Sequence, residues 1–171
     1  MQRKKGLTMI ELLIVLISSS IVIAIAFSLF SIGWKVYGNS QKKALLERNM
    51  RNVVEIISEE LRWAKEATTT INPVGNNWIT IFLEDGTIKW TKQSNGSLLK
   101  PQYLTDYQDV IVNNLSFNLS GSQDQKAVIH ITLSASNASD ERIGESITTS
   151  VVSYNLEENL LGESSSINYK K

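Results

Sequence analysis

The stretch GLTMIELLIVL, from Gly6 to Leu16, places a single carboxylate, Glu11, just inside an apolar run. A carboxylate in such surroundings must find a partner, find water or lose its charge. Few other groups in the chain could do chemistry. His130 is the only histidine and lies in AVIHITL, where alternation groups it with Val128 and Thr132. No serine or acid stands beside it in a recognisable motif, so the simpler reading is a strand histidine without a catalytic role. Asp106 and Asp109 flank Tyr107, and Asp140, Glu141 and Glu145 cluster in a second segment. Loop carboxylates can bind calcium, but no EF-hand-like spacing is present and a solvated acidic loop is the simpler reading. Trp78 and Trp90 could stack on a base or a sugar, although a core or cross-strand role is simpler. The chain has no cysteine, which excludes disulfides, zinc–thiolate sites and cysteine nucleophiles. There is no phosphate-binding glycine loop. The Asn-x-Ser triplets at Asn95, Asn114, Asn118 and Asn137 are what chance gives in a chain rich in serine and asparagine. No catalytic set is visible, so the chain is not read as an enzyme and no cofactor or metal is expected.

The elements that position these residues begin with Leu12 to Ile32, LLIVLISSSIVIAIAFSLFSI, which carries no charge. As a helix it reaches about 32 Å, enough to cross a bilayer core. Its serines are tolerable because each hydroxyl can bond to a carbonyl one turn earlier. Arg3, Lys4 and Lys5 precede it and favour a cytoplasmic N-terminus, with everything after Gly33 outside the membrane. Three readings compete. One is a plain signal anchor. A second is a secretory signal peptide with the small-x-small site Ala24-Ile25-Ala26, whose cleavage would discard Glu11. In the third, the chain is cut after Gly6 and a new α-amine appears on Leu7, one helical turn before Glu11. Between parallel, staggered helices Glu11 can meet the Leu7 amine of a neighbour, and in a low-dielectric bundle that pair sets the stagger. An unpaired acid costs roughly 2.5–3.5 kcal/mol at mid-bilayer on insertion scales, less near the interface, and assembly relieves that cost.

Beyond the membrane segment, Leu46, Met50, Val53, Ile57, Leu61 and Ala64 recur at helical spacing and form one apolar face. Lys43–Glu47, Glu47–Arg51, Arg51–Glu55 and Arg62–Glu66 are opposite charges four residues apart. No proline occurs before Pro73, so one helix is predicted from about Leu7 to Ala67. Gly33 and Gly38 are its weak points, each costing about 1 kcal/mol relative to alanine, as a bend or as a hinge. After Ala67 the period changes from 3.6 to 2. WITIFLEDGTIKWTK reads as a hairpin turning at Asp85-Gly86. Further strands are predicted at Val110–Leu119, Ala127–Ala135 and Ile147–Asn155, with Asn137 to Gly144 an exposed connection. The tail from Glu157 to Lys171 is predicted to be poorly ordered.

Length and charge bound the reading. The chain has 171 residues, enough for one domain with a real core. Acidic and basic residues balance at 17 each, and without Arg3, Lys4 and Lys5 the remainder is mildly acidic, which argues against direct nucleic-acid binding through a basic patch.

After its short basic leader, KGLTMIELLIVL resembles the cleavage-and-methylation signal of type IV prepilins and type II secretion pseudopilins. The strict resemblance covers Arg3 to Ile32. It implies that a membrane peptidase cuts between Gly6 and Leu7, that the Leu7 amine is methylated, and that Glu11 sets subunit register in a helical filament. Leu7 departs from the commoner phenylalanine; leucine is apolar and unbranched at Cβ, so acceptance with slower methylation is expected. The resemblance implies an α+β fold with a ladle shape. Its long N-terminal helix has a transmembrane half and an amphipathic half, packed on a small antiparallel β-sheet. The expected organisation is a leader over 1–6, a transmembrane and filament-core helix over 7–33, an amphipathic extension over 34–67, an antiparallel β domain over 68–156 and a flexible tail over 157–171. ELRWAKEA, VIVNNLSFNL and TTSVVSYN are also similar to segments of the J-like class of minor pseudopilins. Implied partners are other pilins or pseudopilins, the prepilin peptidase and an inner-membrane assembly platform. The implied location is the inner membrane and then the filament, serving pilus assembly, type II secretion or competence DNA uptake. The competing reading is a membrane-anchored or secreted β-rich binding domain with no filament role.

Overall fold

The computed structural model describes residues 8–69, 77–94, 97–105, 109–121, 127–153, 156 and 162–171. Among these residues, ten strands follow one long helix. Helix α1 spans Met9–Arg62. The strands are β1 (Glu66–Thr68), β2 (Ile79–Glu84), β3 (Thr87–Ser94), β4 (Ser97–Leu98), β5 (Gln102–Tyr103), β6 (Val110–Gly121), β7 (Ala127–Asn137), β8 (Asp140–Ser153), β9 (Gly162–Ser164) and β10 (Ser166–Lys170). The α+β class, with a long N-terminal helix and antiparallel strands, is as the sequence predicts. The chain divides into two compact units, the first ending at Gln41 and the second spanning Lys42–Lys171.

In the first unit every described residue from Thr8 to Tyr37 is exposed. The helix runs through Gly33 and Gly38 without a break. Ser19 Oγ donates to Val15 O at 2.6 Å and Ser20 Oγ to Ile17 O at 2.7 Å, which satisfies two of the serine hydroxyls inside the apolar run.

In the second unit the predicted stripe of Leu46, Met50, Val53, Ile57 and Leu61 is buried. It packs into one core with inward residues of two sheets. The first sheet runs β1-β10-β2-β3-β4, with β5 also paired to β3, and the second runs β8-β7-β6-β9. Strand β7 shows why period 2 was informative: Ala127, Ile129, Ile131, Leu133 and Ala135 are buried, and the residues between them are half-exposed. The hairpin turns at Asp85-Gly86, both with positive φ, at 52° and 71°. Two positive φ values match the right-handed twist of the flanking strands. Gly86 O accepts from Val112 N–H at 2.9 Å, tying that turn to β6.

Several boundaries differ from expectation. The helix stops at Arg62 rather than near Ala67, although the local sequence could continue it. Lys65 N–H instead donates to Lys170 O at 2.8 Å, and Glu66–Thr68 pairs with β10. Strand pairing has overridden helix propensity, so the 34–67 extension ends early and the β region starts before residue 68. The pair Arg62–Glu66 is replaced by Lys170–Glu66 at 2.8 Å. Asn137 to Gly144 is not an open connection. Asn137 Oδ1 accepts from Ser139 N–H at 3.0 Å and Ser139 Oγ at 2.6 Å, closing a tight turn that lets β8 begin at Asp140.

The largest correction concerns the tail. The expected flexible segment 157–171 contains β9 and β10, and β10 lies between β1 and β2 inside the first sheet. Ile167 and Tyr169 are 0% and 1% exposed. Tyr169 lies opposite Ala67 and Ile79, and Ile167 opposite Ile81. SINYK is too short for alternation to announce a strand; its order comes from neighbours more than 80 residues away in sequence.

Candidate functional site

Thr8 is the first described residue and the cap of α1. Its N–H donates to Glu11 Oε2 at 2.8 Å and its hydroxyl to the same oxygen at 2.9 Å. Glu11 N–H returns a bond to Thr8 Oγ1 at 3.4 Å. This is a reciprocal capping box, built from Thr8-Met9-Ile10-Glu11. Within one chain, then, the carboxylate finds its partner in the helix start. A threonine followed three residues later by a glutamate before an apolar run is the sequence signature of such a box, a signal masked by the reading of Glu11 as a partner for another chain. Gly6 and Leu7, the predicted cleavage and methylation residues, lie outside the described residues.

Downstream of the box, the helix shows an uncharged, largely apolar surface interrupted by serines as far as Trp34. Met9, Phe27 and Trp34 are 83%, 73% and 70% exposed, and Leu12, Ile14, Val22, Ile23 and Phe30 are similarly bare. The segment is long and apolar enough to cross a membrane. Such a surface in water is far beyond what a folded monomer leaves uncovered. The structure thus places Glu11 at the capped end of a helix that must be covered by lipid or by other helices.

The remaining candidates are distributed over the second unit. His130 lies on the outer face of the second sheet, its Nδ1 2.8 Å from Ser150 Oγ and its Nε2 3.3 Å from Ser120 Oγ. The two hydroxyls come from the neighbouring strands, and none of its hydrogen-bond partners is an acid. Asp140 is bound by Arg142 Nε at 3.0 Å, which holds its carboxyl below the usual carboxylate range. Glu145 is bound by Lys43 Nζ at 2.6 Å, and that hydrogen bond and charge likewise lower its carboxyl. The predicted acidic cluster is therefore split among cationic partners. Asp106 lies outside the described residues, and Asp109 and Glu141 are exposed. Among the described residues no three acidic or histidine side chains converge as a metal site.

Trp78 is buried with the Lys170 ammonium 4.4 Å above its ring, a cation–π contact. Trp90 is half-buried and lines a pocket of about 150 Å³ with Ile56, Ile57, Ile81, Leu104 and Tyr169. At its rim Tyr169 Oη donates to Glu60 Oε2 at 2.7 Å, and Lys171 Nζ to Glu60 Oε1 at 2.9 Å. Burial, followed by the Glu60 hydrogen bond and charge, pushes the Tyr169 hydroxyl well above its usual range. Sequence reasoning missed this cluster because it set residues 157–171 aside as tail.

No protein-family model matches the chain, and no curated protein does. Two solved structures are similar, both of the PilB minor pilin from Streptococcus sanguinis. Its D319A mutant superimposes with a TM-score of 0.57 and 11% identity, covering 74% of this chain and 34% of that chain. The second structure of the same protein gives a TM-score of 0.54 with the same identity and coverage. The chain thus spans about a third of the length of the solved chains it matches. At this identity the likeness establishes the fold, which is a pilin-like α+β fold.

Proposed function

We propose that the chain is a minor pilin or pseudopilin, a structural subunit of a type IV pilus-like filament, with no enzymatic activity. One observation carries this reading: a capped helix whose first half is apolar on every side and uncovered, on a chain with a pilin-like fold. The chain is inserted with its N-terminus in the cytoplasm and its β domain outside. Prepilin peptidase cuts between Gly6 and Leu7, and Leu7 is methylated. An inner-membrane platform then feeds the subunit into a filament of other pilins or pseudopilins. There the apolar helix exchanges lipid for neighbouring helices. Glu11, anchored by its own cap, offers its second oxygen and its charge to the amine of an adjacent subunit. Pilus assembly, type II secretion and competence DNA uptake all use subunits of this kind.

Mass spectrometry and N-terminal sequencing of the chain purified from its native membrane test the reading. A mature protein that begins with N-methylated Leu7 is expected. A chain that still begins at Met1, or that begins at Phe27, overturns it in favour of an anchored or secreted binding domain.

A further inference from the structure

Strand β8 is the longest described strand, with 14 residues, and it forms one edge of the second sheet. Hydrogen-bond parity decides which of its backbone groups face outward. Ser120 Oγ donates to Val128 O at 3.3 Å, so the Val128 carbonyl points toward β6 and away from β8. In an antiparallel ladder the N–H and C=O of one residue point the same way, and the sense alternates along the strand. Val152 lies opposite Val128 and so turns its N–H and C=O to the edge that no described strand covers. Pairing is regular from Gly144 to Ser153, so Ser150 and Thr148 do the same.

The two halves of this edge are built differently. In the first, side chains occupy the backbone donors. Arg142 N–H donates to Asp140 Oδ1 at 3.3 Å, and Ser146 N–H donates to the Glu145 carboxylate. Asp140, Glu141, Arg142 and Glu145 also keep this half charged. The second half, ITTSVVS from Ile147 to Ser153, has no charge, proline or glycine, and Ile147, Thr148, Thr149, Val151 and Val152 are β-branched. Its pairing contains no bulge, and no described residue accepts from the N–H of Thr148, Ser150 or Val152. Edges that must stay free carry lysine, proline or a bulge, and this half carries none of them.

We propose that the Thr148–Val152 edge of β8 takes an added antiparallel strand from a different subunit of the filament. This rests on the filament reading above. The occupant is an extended, uncharged segment of about six residues. Three of its residues exchange backbone bonds with Thr148, Ser150 and Val152. A second copy of this chain is a poorer fit. Its other described edge strands are short: β1 and β9 have three residues each, β4 and β5 two each. Pairing β8 with β8 requires a two-fold axis perpendicular to the sheet. That axis reverses the α1 turns packed on the sheet, whereas subunits of a polar filament share one direction.

Hydrogen exchange of the β8 amides tests the proposal, comparing the full chain in detergent with the full chain in isolated filaments. The Thr148, Ser150 and Val152 amides are expected to exchange at least tenfold more slowly in the filament. Unchanged exchange in filaments that contain the chain overturns strand addition alone. Absence of the chain from filaments overturns the filament reading, and this one with it. Thr148→Pro is the second arm. It removes an N–H that β7 does not use, so the melting temperature of the isolated chain should stay within a few degrees. Recruitment to filaments is expected to fall at least tenfold; normal recruitment overturns the proposal. Concentration-dependent dimerisation of the native chain that Thr148→Pro abolishes overturns the choice of occupant, since it shows self-pairing.

Discussion

Glu11 has two possible partners, and they make different demands on its side chain. The capping box needs an acceptor oxygen, which glutamine also provides. Pairing with a neighbour's amine needs the negative charge. Glu11→Gln therefore keeps the helix start and loses the register contact, whereas Glu11→Ala loses both. Both variants are expected to enter filaments at least tenfold less efficiently than the native chain, with only Glu11→Ala also fraying the first helical turn. Quantitative blotting of filaments and circular dichroism of the detergent-solubilised chain check this. Native-level incorporation of Glu11→Gln would show that the charge has no role in register. A second residue-scale prediction concerns Lys43 and Glu145, which join the helix to β8 at 2.6 Å. Lys43 lowers the Glu145 carboxyl in the folded state. The unfolded chain therefore binds the proton first as pH falls. The stabilisation is complete above the ordinary glutamate value of about 4.3 and is lost as pH drops through the lower folded value. Replacing Lys43 by methionine should lower stability at pH 7, where the pair is complete, and change it little in acid below the folded Glu145 value, so that the loss of stability below about pH 5 is flatter in urea titrations at a series of pH values.

At the scale of elements, the first sheet depends on β10. Its Ile167 is fully buried opposite Ile81, and deletion of a buried isoleucine down to alanine costs about 2–5 kcal/mol. Ile167→Ala should lower the urea midpoint accordingly, whereas a disordered tail would leave it unmoved. Helix α1 and strands β2, β3, β6 and β7 were legible in the sequence, because each carries its own period over many residues. The Asp85-Gly86 turn was legible because positive φ at two successive residues selects a narrow set of side chains. The end of α1, β1 and β10 were not. Each is short, and what holds Lys65 to Thr68 out of the helix is the far end of the chain. The Thr8–Glu11 box was legible as a threonine three residues before a glutamate, but the same glutamate also fits a partner in another chain.

For the whole molecule, the division at Gln41 separates two kinds of surface. The described residues up to that point have no buried apolar face, and those from Lys42 onward contain the core. A fragment spanning Lys42–Lys171 is therefore expected to be soluble and monomeric without detergent, with a cooperative thermal transition, while the full chain needs detergent or filament neighbours. Light scattering and calorimetry of the two forms check this. An insoluble or non-cooperative fragment would show that the second unit relies on the first.

The sequence by itself determined the membrane-length apolar helix, the acid near its start, the absence of disulfide chemistry and the α+β class. Each of these depends on composition or on a period that a residue shares with its near neighbours. The tertiary structure decided where the last ten residues go, which cations take Asp140 and Glu145 of β8, and which long strand lies at a sheet edge among the described residues. Apart from the local Asp140–Arg142 pair, those outcomes depend on backbone hydrogen bonds and ion pairs between segments far apart in the chain, and no local pattern encodes them.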